Sequence, residues 1–250
     1  MRLTFKIVCL ILNSFVTIID IGKRMRVRKV AISILLIVIF IGILFLISLY
    51  MYDNSKFSKI TGYSFFTLWT DNKIKTTYKI VRKLEKVKSD YKILLNIALP
   101  SEDKKIDAVL VHESGVVVIG VKDFDGWIYG REQDILWGQA LNKDKVNKFN
   151  NPLIENKLSI LKLKDILPDL NKEAFHSLIV FTDRCSFNKI EIHSQNVDVL
   201  KISELNDYLK NEKDKKLSKE EVNKIYSVLE KYMDFKEVGK PSSINNIKAN

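Results

Sequence analysis

From Val30 to Met51 the chain reads VAISILLIVIFIGILFLISLYM, with no charged side chain in the whole run. The length matches the ~20 apolar residues that carry a helix across the hydrocarbon core of a bilayer. A core helix of a soluble protein rarely runs so far without a polar face, so residues 30–51 read as a transmembrane helix. That reading constrains everything else, because the globular part of the chain must then be built from the residues that follow. Tyr50 and Tyr52 stand at the end of the run, where amphipathic rings favour the membrane interface.

Residues 3–21 are less apolar, being interrupted by Lys6, Asn13, Ser14, Thr17 and Asp20, and read either as a second span or as an interfacial helix. No small-x-small cleavage pattern follows them, which argues against a removed signal peptide. Between the two segments stand Lys23, Arg24, Arg26, Arg28 and Lys29, and such clusters stay cytoplasmic. Only Lys56 and Lys59 flank the other end of the long run. The asymmetry favours a globular domain outside the cytoplasm; a span over 3–21 would return it to the cytoplasmic side. The expected organisation is a membrane anchor over 1–52, a polar and aromatic connector over 53–71, a domain over 72–235 and a disordered tail over 236–250.

The 41 Lys and Arg against 30 Asp and Glu leave a formal charge of +11. That suits an anionic partner, nucleic acid or acidic lipid, and equally a solvated lysine-rich surface. The two cysteines, Cys9 and Cys185, exclude a disulfide framework, and His112, His176 and His193 lack the spacing of a structural zinc site.

Past the connector, Ile74, Tyr78, Val81, Leu84 and Val87 recur at helical spacing and predict a helix over 72–88. Tyr91 to Leu99 reads as a strand. Two apolar runs then sit back to back, AVLV and VVVIGV, around His112, Glu113, Ser114 and Gly115, the signature of a β-hairpin. Asp107 opens its first strand and Lys122 closes its second, so both charges fall at the open end. Gly126 to Tyr129 reads as a further strand, with Trp137 ending another, and Trp127 and Trp137 as packing anchors. Asn151 and Pro152 fit the cap and first position of an amphipathic helix to about Ile166. Residues 178–181 and 197–200 are short strands, the second at an edge. Two helices close the fold, over 203–210 and from Ser218, where Ser218 and Glu221 fit a capping box. His112 is expected to face solvent, Cys185 to be a half-buried thiol, and Asp123 and Asp125 to form a turn. This order describes an α/β (α+β) fold, a mixed sheet flanked by helices with charged strand ends on one rim.

Phosphodiester hydrolysis needs acids on such a rim to bind magnesium and a lysine to steady the nucleophile or the developing charge. Asp107 and Lys122 are of the right type. The stretch IDAVLVHESGVVVIGVKDFDGWIYG, then ILW and FNNPLIEN, resembles the nuclease-related domain (NERD), a bacterial membrane-associated branch of the PD-(D/E)xK nuclease superfamily, over roughly residues 70–185. Asp107, Lys122, Gly126, Gly130, Trp137, Asn151, Pro152 and Asn156 match its pattern by position. The resemblance implies a restriction-endonuclease-like sheet, with Asp107 as metal ligand and Lys122 as catalytic lysine at a plasma-membrane location. Gly126, Trp137, Asn151, Pro152 and Asn156 are then structural.

The departures fall on the chemistry. Gly120 stands where the family pattern has the glutamate of Glu-x-Lys, Glu155 where it has a glutamine, and residues 72–84 contain no acid. The leading expectation is a membrane-anchored domain with lost or weakened catalysis that binds nucleic acid or a protein partner. One alternative is an active magnesium-dependent nuclease using Asp107, Lys122 and Glu155 as a relocated acid, although an acid near a helix start is also favoured by the macrodipole alone. The other is a structural membrane protein without a nucleic-acid role.

Overall fold

The computed structural model describes residues 14, 25–85, 91–100, 105–142, 145–211 and 214–234. The expected second membrane segment, apart from Ser14, and the expected tail from 236 lie outside the described residues. The chain divides into two compact units, Met1–Ser55 and Lys56–Asn250.

In the first unit helix α1 runs Met25–Asp53. Its stretch Val30–Asp53 has a mean hydropathy of 3.4 and is long and apolar enough to cross a membrane, with only 6% of it buried inside the protein. Leu36, Phe40 and Leu46 are each about three-fifths exposed.

The second unit begins with two short helices inside the stretch read as a connector, α2 (Lys56–Thr61) and α3 (Thr67–Thr70). They form because Phe57 is buried and packs edge-on against Tyr78, 5.4 Å between ring centres. Helix α4 follows at Asn72–Leu84, capped by Asp71, whose carboxylate accepts from the Ile74 amide at 3.0 Å. Its buried positions Ile80, Val81 and Leu84 form the expected apolar face.

Among the described residues nine strands follow, in two mixed sheets rather than the one small sheet expected from sequence. Strands β1 (Lys92–Ile97), β2 (Ile106–His112), β3 (Gly115–Lys122), β7 (Phe175–Phe181) and β9 (Val197–Lys201) make the first, in the order β1-β2-β3-β7-β9. Strands β4 (Gly126–Arg131), β5 (Leu136–Ala140), β6 (Val146–Asn150) and β8 (Cys185–Glu191) make the second, in the order β6-β5-β4-β8. Strands β6 and β8 are additions to the sequence reading, which their mixed polar composition hid.

The hairpin is as expected, with Val109 opposite Val118 and the turn at Glu113 and Ser114. Beside it, β3 pairs with β7 in parallel, Gly120 opposite Ile179 and Lys122 opposite Phe181. Parallel pairing requires a crossover, and the chain from 123 to 174 supplies it through β4, β5, β6 and helix α5 (Pro152–Ile166). The same two strands then continue as a second parallel pair, β4 with β8. The link between the sheets is itself tied: the Thr182 amide donates to the Lys122 carbonyl and its hydroxyl to the Phe124 carbonyl, each at 3.1 Å. Arg184 holds Asp123 at 2.6 Å and Asp125 at 3.0 Å, so the two acids bridge the link as well as turning the chain.

One face of the first sheet carries Leu94, Val109, Val111, Val116 and Val118, packed with Ile160 and Leu163 of α5 and with Val222, Ile225 and Leu229 of helix α7 (Lys219–Leu229). The capping box at Ser218 and Glu221 starts that helix as expected. Helix α4 lies against β3, and helix α6 (Leu205–Lys210) against α4. Helix α5 is less amphipathic than its pattern suggests, because Leu158 and Leu161 are half exposed opposite its buried face.

Asn151 joins the second sheet to α5. Its side chain is 1% exposed, its oxygen caps the helix by accepting from the Leu153 amide at 2.9 Å, and its amide donates to the carbonyls of Glu132 at 3.0 Å and Asp134 at 2.6 Å. Replacing Asn151 with Ala removes the cap and the partner of two part-buried carbonyls, a loss of about 1–3 kcal/mol. Asn151→Asp keeps the cap but turns a carboxylate oxygen toward those carbonyls. Chemical denaturation should therefore find both variants destabilised, and Asp should not rescue.

Candidate functional site

The rim at the C-terminal ends of parallel β3 and β7 is where the N-termini of α4 and α5 both arrive, and a cavity of about 810 Å³ opens there. Lys73, Lys105, Asp107, Gly120, Lys122 and Glu155 all line it. The structure thus brings together every residue that the sequence pointed to for chemistry, and adds Lys73 and Lys105.

Asp107 is 13% exposed at its side chain, with both oxygens engaged. One accepts from the Val121 amide at 2.8 Å, closing the hairpin where the two strands diverge. The other lies 2.5 Å from the Lys73 ammonium, in the first turn of α4. Lys122 ends β3 and points across to α5, where its ammonium donates to the Glu155 carboxylate at 2.7 Å. These side chains are 21% and 27% exposed, so solvent reaches the pair but does not dominate it.

Gly120 is the position where the family pattern places an acid, and the pairing Ala108–Ile119 puts it directly across from Asp107 on continuing the register by one residue. No vacant space remains there. A Cβ on Gly120 would meet the Asn156 side-chain oxygen at 2.9 Å and the Ile179 methyl at 3.0 Å. Asn156 is itself fixed: it is 6% exposed, and its amide donates to the Val118 carbonyl at 2.9 Å and the Ser177 hydroxyl at 3.2 Å. The α5 asparagine therefore fills the rim beside the glycine and ties β3 to β7.

The other residues matched by position serve packing. Trp137 is 1% exposed, stacks on Phe181 at 6.4 Å with the planes nearly parallel, and donates from its indole to the Arg131 carbonyl at 3.0 Å. Gly130 is glycine because a Cβ would lie 2.4 Å from the Trp137 ring. Gly126 adopts φ +77, and a Cβ there would strike the Ala140 carbonyl.

Three plain expectations need correction. Trp127 is 49% exposed on β4 and is no core anchor, because strand alternation turns it away from the side that buries Ile128. His112 is half-buried, its ring tilted against Tyr91 at 4.7 Å between ring centres and bonded to Ser114, rather than simply facing solvent. Cys185 is fully buried at 1% exposure, donates to the Thr182 carbonyl, and has its thiol pushed above the ordinary range by burial.

Magnesium demands near-octahedral oxygen ligation and gives up water reluctantly. Of the carboxylates lining this cavity, Asp71 caps α4 while Asp107 and Glu155 each hold a lysine. Among the described residues no group of three or more His, Cys, Asp or Glu is placed to hold a metal ion. The donor set as arranged does not fit the ion.

Residue Lys73 was invisible to sequence reasoning because a lysine in an amphipathic helix reads as solvated. The available signal was its place in the first turn, where helices favour acids.

Gly120→Ala forces Asn156 or Ile179 to move and should cost about 1–3 kcal/mol. In a double-mutant cycle with Asn156→Ala the two losses should be strongly non-additive, the smaller partner making room for the added methyl. Additive losses in thermal melts would mean that the glycine does not accommodate the asparagine.

Comparison of the sequence with known proteins gives two matches. The family model described as the nuclease-related domain, NERD, matches residues 72–182, a stretch that contains all the rim residues above from Lys73 to Asn156. An uncharacterised protein of Bacillus anthracis is 30% identical over 146 residues, covering 56% of this chain and 66% of that relative.

Proposed function

Residues 72–182 form a nuclease-related domain, and from that premise we propose that the protein is a membrane-anchored one in which the nuclease chemistry is lost or severely weakened, the fold being kept to bind nucleic acid or a protein partner. The observation that carries this reading is the double commitment of Asp107, to the Val121 amide and to Lys73. A metal ligand needs a free carboxylate oxygen facing the substrate, and here both oxygens have structural work.

Binding is supported from outside the cavity. Helix α4 presents Lys75 and Lys79 to solvent, with Arg82 and Lys83 half-buried beside them. Arg82 is answered by Glu85 at 2.9 Å, and the exposed Lys75 and Lys79 suit a phosphate backbone or an acidic protein face. The helix Val30–Asp53, which is apolar enough to span a bilayer, supplies the proposed anchor.

The full-length protein in detergent micelles, incubated with single- and double-stranded DNA and magnesium, should cleave no faster than its Asp107→Ala variant. Robust cleavage that disappears in Asp107→Ala would overturn the reading.

A second reading, an active nuclease with Glu155 as the relocated acid, is favoured by one observation: Glu155 reaches the same cavity as Asp107 and Lys122. It requires cleavage by the parent that fails in Glu155→Gln. Absence of cleavage by the parent removes it.

The expected placement of the domain outside the cytoplasm is open to thiol labelling. Burial keeps the Cys185 thiol protonated and out of reach, so an impermeant maleimide should leave it unmodified at neutral pH until denaturant is added. In a Cys9→Ser background an exposed replacement, Asn188→Cys on β8, should label in intact cells if the domain lies outside, and only after lysis if it lies within.

A further inference from the structure

Lysine in the first turn of a helix sits against the macrodipole, whose positive end favours acids. Helix α4 has no acid in its first turn and has Lys73 there. Its ammonium reaches across to Asp107, at 2.5 Å, although the side chain is 58% exposed and could extend into solvent. A repeated arrangement stands beside it: Lys122 pairs with Glu155 at 2.7 Å on the other wall of the same cavity. A third lysine on the lining, Lys105, pairs with Asp234 at 2.6 Å. The lining carries Lys73, Lys105 and Lys122 against Asp71, Asp107 and Glu155, three positive and three negative charges.

We propose that the Lys73 ammonium is a built-in counter-cation that occupies the place beside Asp107 which a divalent ion would need, so that the cavity is assembled and held without metal. The inference rests on the reading of lost or weakened catalysis and explains how the site tolerates it. An acid held near a strand end and largely out of water needs a positive partner. A nuclease rim obtains that charge from its ion, whereas here a lysine on a tether supplies it from α4. The tether has a second effect, because it ties the start of α4 to the open end of the hairpin, which a diffusible ion would leave to its own occupancy.

Three full-length variants in detergent, followed by thermal melting with and without manganese, test this. Parent protein should melt at the same temperature in MnCl2 and in EDTA. Lys73→Met, which keeps the stem and removes the charge, should melt about 2–4 °C lower and still ignore manganese, since one carboxylate cannot hold the ion. Lys73→Glu should melt lower again in EDTA, two carboxylates then facing each other, and manganese should raise its melting temperature and quench the free-ion electron paramagnetic resonance signal. Adding Asp107→Asn to Lys73→Glu should abolish that response.

A Lys73→Glu protein that gains no manganese response, or whose manganese response survives Asp107→Asn, would overturn the proposal, and so would a manganese shift in the parent itself. Failure here is separable from failure of the functional reading. A metal-insensitive parent whose Lys73→Glu variant gains nothing sinks only the counter-cation, whereas magnesium-dependent DNA cleavage by the parent sinks both.

Discussion

Strand β3 is the constraint on which the rest of the domain depends. Seven of its eight residues are buried, with β2 on one edge and β7 on the other, so both faces and both edges must be covered by chain from elsewhere. Antiparallel cover from β2 costs only a two-residue turn. Parallel cover from β7 demands a connection long enough to return to the starting end, and the molecule uses that obligatory return to build the second sheet and α5. What comes back is therefore placed by necessity: α5 must cross the sheet on the way to β7, and its first turn must arrive at the rim where β3 ends. Glu155 and Asn156 meet Lys122 and Gly120 for that reason.

At this rim two polar contacts compete for the same carboxylate, one structural and one chemical. Asp107 accepts a backbone hydrogen bond from Val121, which would otherwise be an unpaired donor where β2 and β3 separate. An unsatisfied buried amide costs about 1–3 kcal/mol, more than the 0–1 kcal/mol that an ion pair with a half-exposed lysine contributes. The backbone bond is the stronger reason for an aspartate at this position. Asp107 would thus persist in a chain of this fold with or without catalysis, and its presence alone is poor evidence of activity. Gly120 bears more directly on the question, because a side chain there would meet Asn156 and Ile179.

Much of the architecture was legible because it is local. The helical spacing of Ile74 through Leu84, the hairpin turn, the Asn-Pro start of α5 and the capping box at Ser218 each specify their own element within a few residues. Strands β6 and β8 were not legible, since sequences such as VNKFN and CSFNKIE carry no clean alternation and become strands only because β5 and β4 offer them edges. At the site, Asp107 and Lys122 could be read from their places at the hairpin's ends, and Glu155 from its helix. Lys73 could not, because its partner is fixed by the approach of α4 to the sheet, a tertiary fact with no local mark. Trp127 was misread for a related reason: alternation places it opposite Ile128, but nothing in the sequence says which side is covered.

Charge completes the separation of the two halves of the domain's chemistry. A cavity whose lysines are answered one for one by acids has little field to draw a polyanion or to hold a cation. Lys79, on the solvent face of the same helix, has no acid one turn away along it, whereas Lys75 has Asp71 four residues before it, a carboxylate already engaged in capping the helix. Helix α4 thus turns a neutralised side toward the cavity through Lys73 and an unbalanced side outward. Lys75 and Lys79 stand on the outer face of α4, while Lys73 of the same helix lines the cavity. Ionic strength then acts on the two sides differently: salt screens the exposed row within a Debye length of about 8–10 Å, while the partly buried pairs at Asp107 and Glu155 are screened much less and keep the rim assembled.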